Sequence, residues 1–301
     1  GKQYKVGVLM DRSCYTLAAV IGAWKAGAIY IPLDPKFPSE RLKYIINSSE
    51  TCLLFSDKVN IKEANRLQWE CDSLKSITVL DAHDILGLVE AENKQMNVEL
   101  WEYFGDKAHD DITGGGWFNS YNGEAFSREE MNEYRDNAVD KLIPYLNKEK
   151  NVLEIGCASG ITMFALADRV KSYVGIDLNQ VILNKNQDIC DKEEITNIKM
   201  YPSFAHEIDQ LEEGDFDIII INSVIQNFNG HNYLREVLDK SIEKLNVNGI
   251  IFLGDLIDQD KKSDLIEDLK AYKRENPDAL TKLEWIEELF VSKSFLEINV
   301  N

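Results

Sequence analysis

The stretch Phe216-Asp-Ile-Ile-Ile-Ile221 limits what this chain can fold into more than any other. Its consecutive isoleucines make both faces of an extended segment apolar. A strand of that kind belongs in the interior of a parallel sheet covered by helices on both sides, because sheets with one wet face alternate. The flanks agree. Val152-Leu-Glu-Ile155 and Tyr173-Val-Gly-Ile176 precede it, Gly249-Ile-Ile-Phe-Leu253 follows, and helical patterns near 160–169, 179–190 and 231–245 lie between. Strand and helix in alternation predict an α/β fold.

A second alternation fills the beginning of the chain. Val6 to Met10, Ile29 to Pro32, Cys52 to Phe55 and Ser76 to Leu80 read as strands, with helices between the first three. Asp11 and Ser13 suit a helix start, Leu17, Val20, Ile21 and Trp24 recur at helical spacing, and Gly27 ends the helix. With 301 residues there is room for two cores. Residues 1–86 are expected to form the first α/β segment, the weakly patterned residues 87–97 a linker, and residues 98–301 a second domain. In the last of these, Ser127-Arg-Glu-Glu130 is a capping box that opens a helix.

Composition removes several classes of function. A formal charge of −19 repels phosphate backbones, so no nucleic-acid partner is expected. No apolar run is long enough to cross a membrane, and the first residues lack a secretory pattern. The start reads as the beginning of a fragment. Five cysteines at irregular spacing form no metal or disulfide framework, which fits a reducing cytoplasm.

The chemistry-bearing segment is Glu154-Ile-Gly156-Cys157-Ala158-Ser-Gly160, where a strand turns into a helix. Small residues there let a ligand approach the backbone. The next strand ends at Asp177, placed to accept bonds from ribose hydroxyls, so the pair points to a cofactor containing adenosine. A dinucleotide fingerprint needs glycine at its first, third and sixth positions; this chain has Gly156, Ala158 and Ile161, and the isoleucine argues against pyrophosphate. Small residues at 156, 158 and 160 with an acid two positions earlier suit S-adenosylmethionine, which carries no phosphate. Glu154 would organise the loop or meet the amino group.

From about Trp101 to Phe295 the chain resembles the methyltransferase domains embedded in nonribosomal peptide synthetases. The likeness is carried by Gly116-Trp-Phe-Asn-Ser-Tyr-Asn-Gly-Glu124, Val152 to Gly160, Asn222-Ser-Val-Ile-Gln-Asn-Phe228, His231-Asn-Tyr-Leu234 and Glu288-Leu-Phe-Val-Ser292. Residues 4–86 are similar to part of an adenylation domain, through Trp24-Lys-Ala-Gly-Ala-Ile-Tyr-Ile-Pro-Leu-Asp-Pro-Lys-Phe-Pro38. That family's phosphate loop, acidic ribose motif and late lysine motif do not follow, so this segment alone cannot make an adenylate. The order implies an interrupted adenylation domain with a Rossmann-like methyltransferase domain, on a mostly parallel seven-stranded sheet, inserted early, before the phosphate loop.

The resemblance implies S-adenosylmethionine as cofactor, bound by Tyr121, Glu154, Gly156, Cys157, Ala158, Gly160, Asp177, Leu178, Ser203, Asn222 and Ser223. Its implied partners are an acyl group tethered to a carrier protein and the rest of the adenylation domain. The acceptor would be an O, S or N atom. Methyl transfer needs two groups held close, and a base only when the acceptor starts protonated. His231, Gln226, Tyr121 and Asp255 are the candidates for that work; His206 is a further candidate near the adenine, and His83 and His109 are less specific. No metal is expected. The rival expectation is a catalytically silent scaffold that docks neighbouring domains.

Overall fold

The computed structural model describes residues 4–81, 117–228, 230–284 and 288–299. The expected linker at 87–97, His83, His109 and the glycines before Trp117 lie outside the described residues. The chain divides into two compact units that interleave in sequence. The first comprises 1–92, 225–235 and 257–301, and the second 93–224 and 236–256. A single boundary near residue 90 therefore does not describe the architecture.

The first unit is built on a parallel sheet of order β2-β1-β3-β4, with β1 at Lys5–Leu9, β2 at Ile29–Leu33, β3 at Leu53–Ser56 and β4 at Ser76–Val79. Helices α1 (Cys14–Lys25), α2 (Ser39–Ser49) and α3 (Ile61–Glu70) connect them. Ser13 caps α1 by accepting from the Thr16 amide at 3.2 Å, and Gly27 takes the left-handed φ of 71° that ends it. Leu42 and Ile46 enter the core with Leu54, Leu67 and Ile77. The apolar spacing in α1 misleads, however. Its buried residues are Ala19 and Ala23, while Leu17, Ile21 and Trp24 stay exposed.

Segments from late in the chain complete this unit. The His231 Nδ1 accepts from the Ile77 amide at 3.1 Å, and Asn232 accepts from the Val79 amide and donates to the Val79 carbonyl. Two adjacent side chains thus meet the alternating backbone groups on the outer side of β4. Helix α8 (Lys262–Glu275) belongs to the same unit. Its Lys262 is buried, donates to the Cys71 carbonyl and lies 5.1 Å from the Phe290 ring centre, and desolvation brings its amine down to about 8.

The second unit holds β5 (Asn151–Ile155), β6 (Ser172–Asp177), β7 (Ile198–Pro202), β8 (Phe216–Asn222) and β9 (Leu245–Gly254), all parallel, in the order β7-β6-β5-β8-β9. The isoleucine-rich β8 is flanked on both sides, and Ile218 to Ile221 are buried. The sheet has five strands among the described residues, not seven. After β9 the chain turns helical at 259–275, and Val291 makes only an isolated bridge to Asp258. Helix α4 (Arg128–Leu142) opens with the expected capping box, Ser127 and Glu130 exchanging both bonds. Helix α5 (Ile161–Leu166) follows β5 and α6 (Gln180–Lys192) follows β6, while α7 (His231–Lys244) precedes β9. Strand order reverses between β5 and β8, where open α/β sheets place ligands outside their carboxyl ends.

Candidate active site

The loop after β5 lies at that reversal and is held by its backbone. The Gly156 and Cys157 amides both donate to the Ile176 carbonyl, at 2.8 and 3.0 Å, and the Gly160 amide closes a turn on the Cys157 carbonyl at 2.8 Å. Gly156 and Gly160 have φ of 76° and 79°, and Ala158 shares the left-handed region at 42°. A Cβ on Gly156 would come within 2.4 Å of the Val224 side chain. Glycine is therefore required there twice over, by conformation and by space. Ala158 tolerates its strain because it is pinned from two sides: its amide donates to Asp177 Oδ2 at 2.8 Å and its carbonyl accepts from Asn186 Nδ2 at 2.8 Å.

Two acids stand beneath and beside the loop. Glu154 is buried in the sheet interior, accepts from the Tyr173 hydroxyl at 2.9 Å, and is raised by burial to about 8. Asp177 ends β6 with one oxygen on Ala158 and the other accepting from the Asn179 amide at 2.9 Å. Burial raises its carboxyl above the usual range, and the backbone donors oppose that shift. The Leu178 amide is a third backbone donor to this carboxylate, whose roughly four lone-pair sites still leave room to accept from a ligand. Cys157 turns inward, its sulfur 2.9 Å from where a Cβ on Gly175 would sit, and desolvation drives its thiol well up. Only its backbone faces the loop's ligand side, and it is no nucleophile.

Across the reversal, Asn222 and Ser223 end β8. Asn222 Nδ2 donates to the Tyr134 hydroxyl at 2.7 Å, Tyr134 and Ser223 lie 2.7 Å apart, and Ser223 Oγ donates to Asp255 Oδ2 at 2.5 Å. Asp255 follows β9 and is exposed. Tyr134, on α4, packs with Trp117, Phe126 and Met131 around Ile161, the first residue of α5. The isoleucine that disfavours a dinucleotide thus serves as the anchor for the lead-in segment. Helical spacing puts Tyr134 on the face of buried Met131, which reads as packing, and only the fold brings it to Ser223 and Asn222.

The other candidates sit elsewhere. His231 is 2% exposed, and both ring nitrogens are taken, Nδ1 by the Ile77 amide and Nε2 donating to the Phe290 carbonyl at 2.9 Å. Desolvation lowers its pKa to about 4. A neutral ring with no free nitrogen cannot serve as the base, and its expected catalytic role is withdrawn. His231→Ala should instead destabilise the chain by about 2–4 kcal/mol in urea melts, since it strands two buried backbone groups. Wild type should lose stability as pH falls from about 6.5 to 4, where the unfolded histidine protonates first, and the variant should lack that slope. A variant as stable as wild type would refute this role.

Gln226 belongs to the first unit, with Oε1 buried and unpartnered and its carbonyl accepting from the Leu289 amide at 2.8 Å. Tyr121 is half-buried in the turn after Phe118, its amide donating to Asn119 Oδ1. Leu178 follows Asp177 directly and is half-buried. Ser203 donates its amide to the Asp177 carbonyl at 3.1 Å, at the end of β7. His206 is buried on the turn after β7, its carbonyl accepting from Lys240. No group of side chains able to hold a metal occurs among the described residues.

Comparison with known proteins fits both halves of this layout. Residues 1–127 match the family described as AMP-binding enzyme, and residues 146–292 match a family described as methyltransferase domain. The chain is 34% identical over 154 residues to a probable non-canonical nonribosomal peptide synthetase, CymA, from Salinispora arenicola, across 51% of this chain and 2% of that protein. It is 30% identical over 230 residues to the nonribosomal peptide synthetase TES of Alternaria alternata, across 69% of this chain and 4% of that protein. Enniatin synthase of Fusarium equiseti shares 30% identity over 201 residues, across 61% of this chain and 6% of that protein. The chain spans only a few per cent of the length of these relatives.

Proposed function

We propose, for a chain that belongs to the methyltransferase domains of nonribosomal peptide synthetases and carries part of an AMP-binding enzyme before that domain, a methyl transfer onto an acyl group held by a carrier protein. The acceptor is an O, S or N atom of that amino- or hydroxy-acyl group. S-adenosylmethionine is the cofactor and supplies the methyl group. The observation that carries this reading is the pinned loop at 156–160 at the sheet's reversal point, with Asp177 on one side and Asn222–Ser223 on the other.

The residues present fit this cofactor. The loop backbone at Gly156, Ala158 and Gly160 is bare of long side chains, so an amino-acid moiety can lie against it. Asp177 retains lone pairs for ribose hydroxyls, and the buried Glu154 offers a partner to a cationic ligand, as S-adenosylmethionine is through its sulfonium and ammonium groups. Leu178 and Ser203 border Asp177, and Tyr121 belongs to the aromatic lead-in. The chain's own work is to hold acceptor and methyl donor at roughly 3–3.5 Å and to take up the acceptor's proton.

Neighbouring parts of a parent synthetase, including the rest of its adenylation domain and a carrier domain, are the partners in this reading. A cytoplasmic location accords with five unpaired cysteines. No helix among the described residues is long and apolar enough to cross a membrane. Calorimetry with S-adenosylmethionine tests the cofactor, and intact-mass measurement of carrier-bound aminoacyl thioesters tests the transfer. A gain of one methyl mass on the acyl group is expected. A folded chain that shows no cofactor binding refutes the reading, and binding without turnover favours a scaffold.

A further inference from the structure

We propose that Tyr134, Ser223 and Asp255 form the route by which the methyl acceptor's proton leaves the site, entering at the Tyr134 hydroxyl oxygen and ending on Asp255. This rests on the reading of the domain as a methyltransferase whose acceptor starts as an X–H group.

The directions of the hydrogen bonds fix the route. An ionised carboxylate can only accept, so Ser223 donates its proton to Asp255. Ser223 oxygen is then the acceptor for the Tyr134 proton, at 2.7 Å. Tyr134 oxygen in turn accepts from Asn222 Nδ2, an amide hydrogen that cannot leave. Every hydroxyl in the row therefore points toward Asp255, and Tyr134 oxygen keeps one lone pair for an incoming proton. The row starts at a half-buried phenol packed with Ile161 at the start of α5 and ends at an exposed carboxylate.

Backbone strain marks the same place. Ser223 and Asp255 hold φ of 58° and 51°, conformations that cost a side-chain-bearing residue roughly 1 kcal/mol or more each. They stand at the ends of adjacent strands, where Asn222 pairs with Gly254 and the Ser223 amide donates to the Gly254 carbonyl at 3.2 Å. A Cβ on Gly254 would fall 2.0 Å from Asn222 Oδ1. The turns are thus shaped around the hydrogen-bonded row. The titratable groups facing Tyr134 are Asp255 and Glu154. Glu154 is the rival proton acceptor, but the Tyr134 hydroxyl makes its hydrogen bonds with Ser223 and Asn222, and Glu154 Oε2 is engaged by Tyr173.

The step balances. The acceptor atom forms its bond to the methyl carbon as the sulfur–methyl bond breaks, with that bond's electron pair going to sulfur. The X–H pair stays on X. Its proton passes to Tyr134 oxygen, the Tyr134 proton to Ser223, and the Ser223 proton to Asp255. A sulfonium and a carboxylate become a thioether and a carboxylic acid, so two charges are neutralised together.

The test uses the full chain, labelled S-adenosylmethionine and a panel of N-acetylcysteamine thioesters of serine, threonine, tyrosine, cysteine and valine. Transfer rates from pH 6 to 9 are measured beside cofactor affinity by calorimetry. Tyr134→Phe and Asp255→Asn should each slow transfer about 100-fold near pH 7, with cofactor affinity changed by less than about threefold, and Asp255→Glu should restore part of the rate. Both variants should regain rate as pH rises and the acceptor ionises by itself. Wild-type rate and pH profile in both variants would overturn the route while leaving the methyltransferase reading intact. If Tyr134→Phe fails to fold, Asp255→Asn at an exposed position decides. A wild-type chain that binds the cofactor and methylates nothing in the panel overturns the transfer reading, and the route with it.

Discussion

Replacing Asp177 by alanine should weaken S-adenosylmethionine binding by about 100-fold or more while the chain remains folded. Two contributions add. A charge-assisted hydrogen bond to a ribose hydroxyl is worth about 1.5–3 kcal/mol. The same carboxylate also holds the Ala158 amide at 2.8 Å, and Ala158 sits at a φ of 42° that it would not hold unaided. Removing Asp177 therefore deletes a ligand contact and relaxes the loop that shapes the site. Asp177→Asn separates the two, because its amide oxygen can still accept from Ala158 without the negative charge, and it should lose less affinity than the alanine variant. Calorimetry on the three proteins, with thermal melts as the fold control, measures this. Equal affinity in all three would remove Asp177 from the site.

Glu154 should make the chain less stable as pH rises, and Glu154→Gln should abolish that loss. The folded pKa, about 8, lies above the ordinary glutamate value, so the folded state holds a proton that the unfolded state releases. The stabilisation from this proton is complete below about pH 4.5 and is lost as pH rises through about 8. The glutamine variant, which cannot ionise, should match wild type near pH 4.5 and exceed it by a few kcal/mol at pH 8–9, read from urea melts across the range. Parallel curves for the two proteins would show that Glu154 is not a raised acid. A cationic ligand beside Glu154 should also expel its proton. Cofactor binding near pH 7 is thus expected to release about one proton, seen as a binding enthalpy that depends on buffer, and the glutamine variant should release none.

Much of the second unit was legible because its signals are local. The apolar run at 216–221 announces a central strand, Ser127 and Glu130 announce a helix start, and Gly156 and Gly160 announce a turn that needs left-handed backbone. Asp177 could be read because the strand pattern ends on it. What escaped depends on contacts distant in sequence. Tyr134 meets Ser223 and Asn222 across nearly ninety residues, and nothing near Tyr134 distinguishes it from a packing aromatic. His231 failed for the opposite reason. Its position after a strand end suggested chemistry, yet its ring is consumed by Ile77 and Phe290, which only the fold brings to it. The exposed Leu17, Ile21 and Trp24 show that helical spacing reports a face, not its burial.

The side chains of His231 and Asn232 lend β4 the hydrogen bonds that a neighbouring strand would otherwise provide. For anyone exchanging methylating modules between synthetases, this makes the early sheet and the Gly230-His231-Asn232 turn a single transplantable part. A graft that moves one without the other leaves the Ile77 and Val79 backbone groups bare on a flat strand margin, a surface primed for sticking to other copies. Seams for recombination accordingly fall outside both pieces, and not at the apparent gap between the two halves of the sequence.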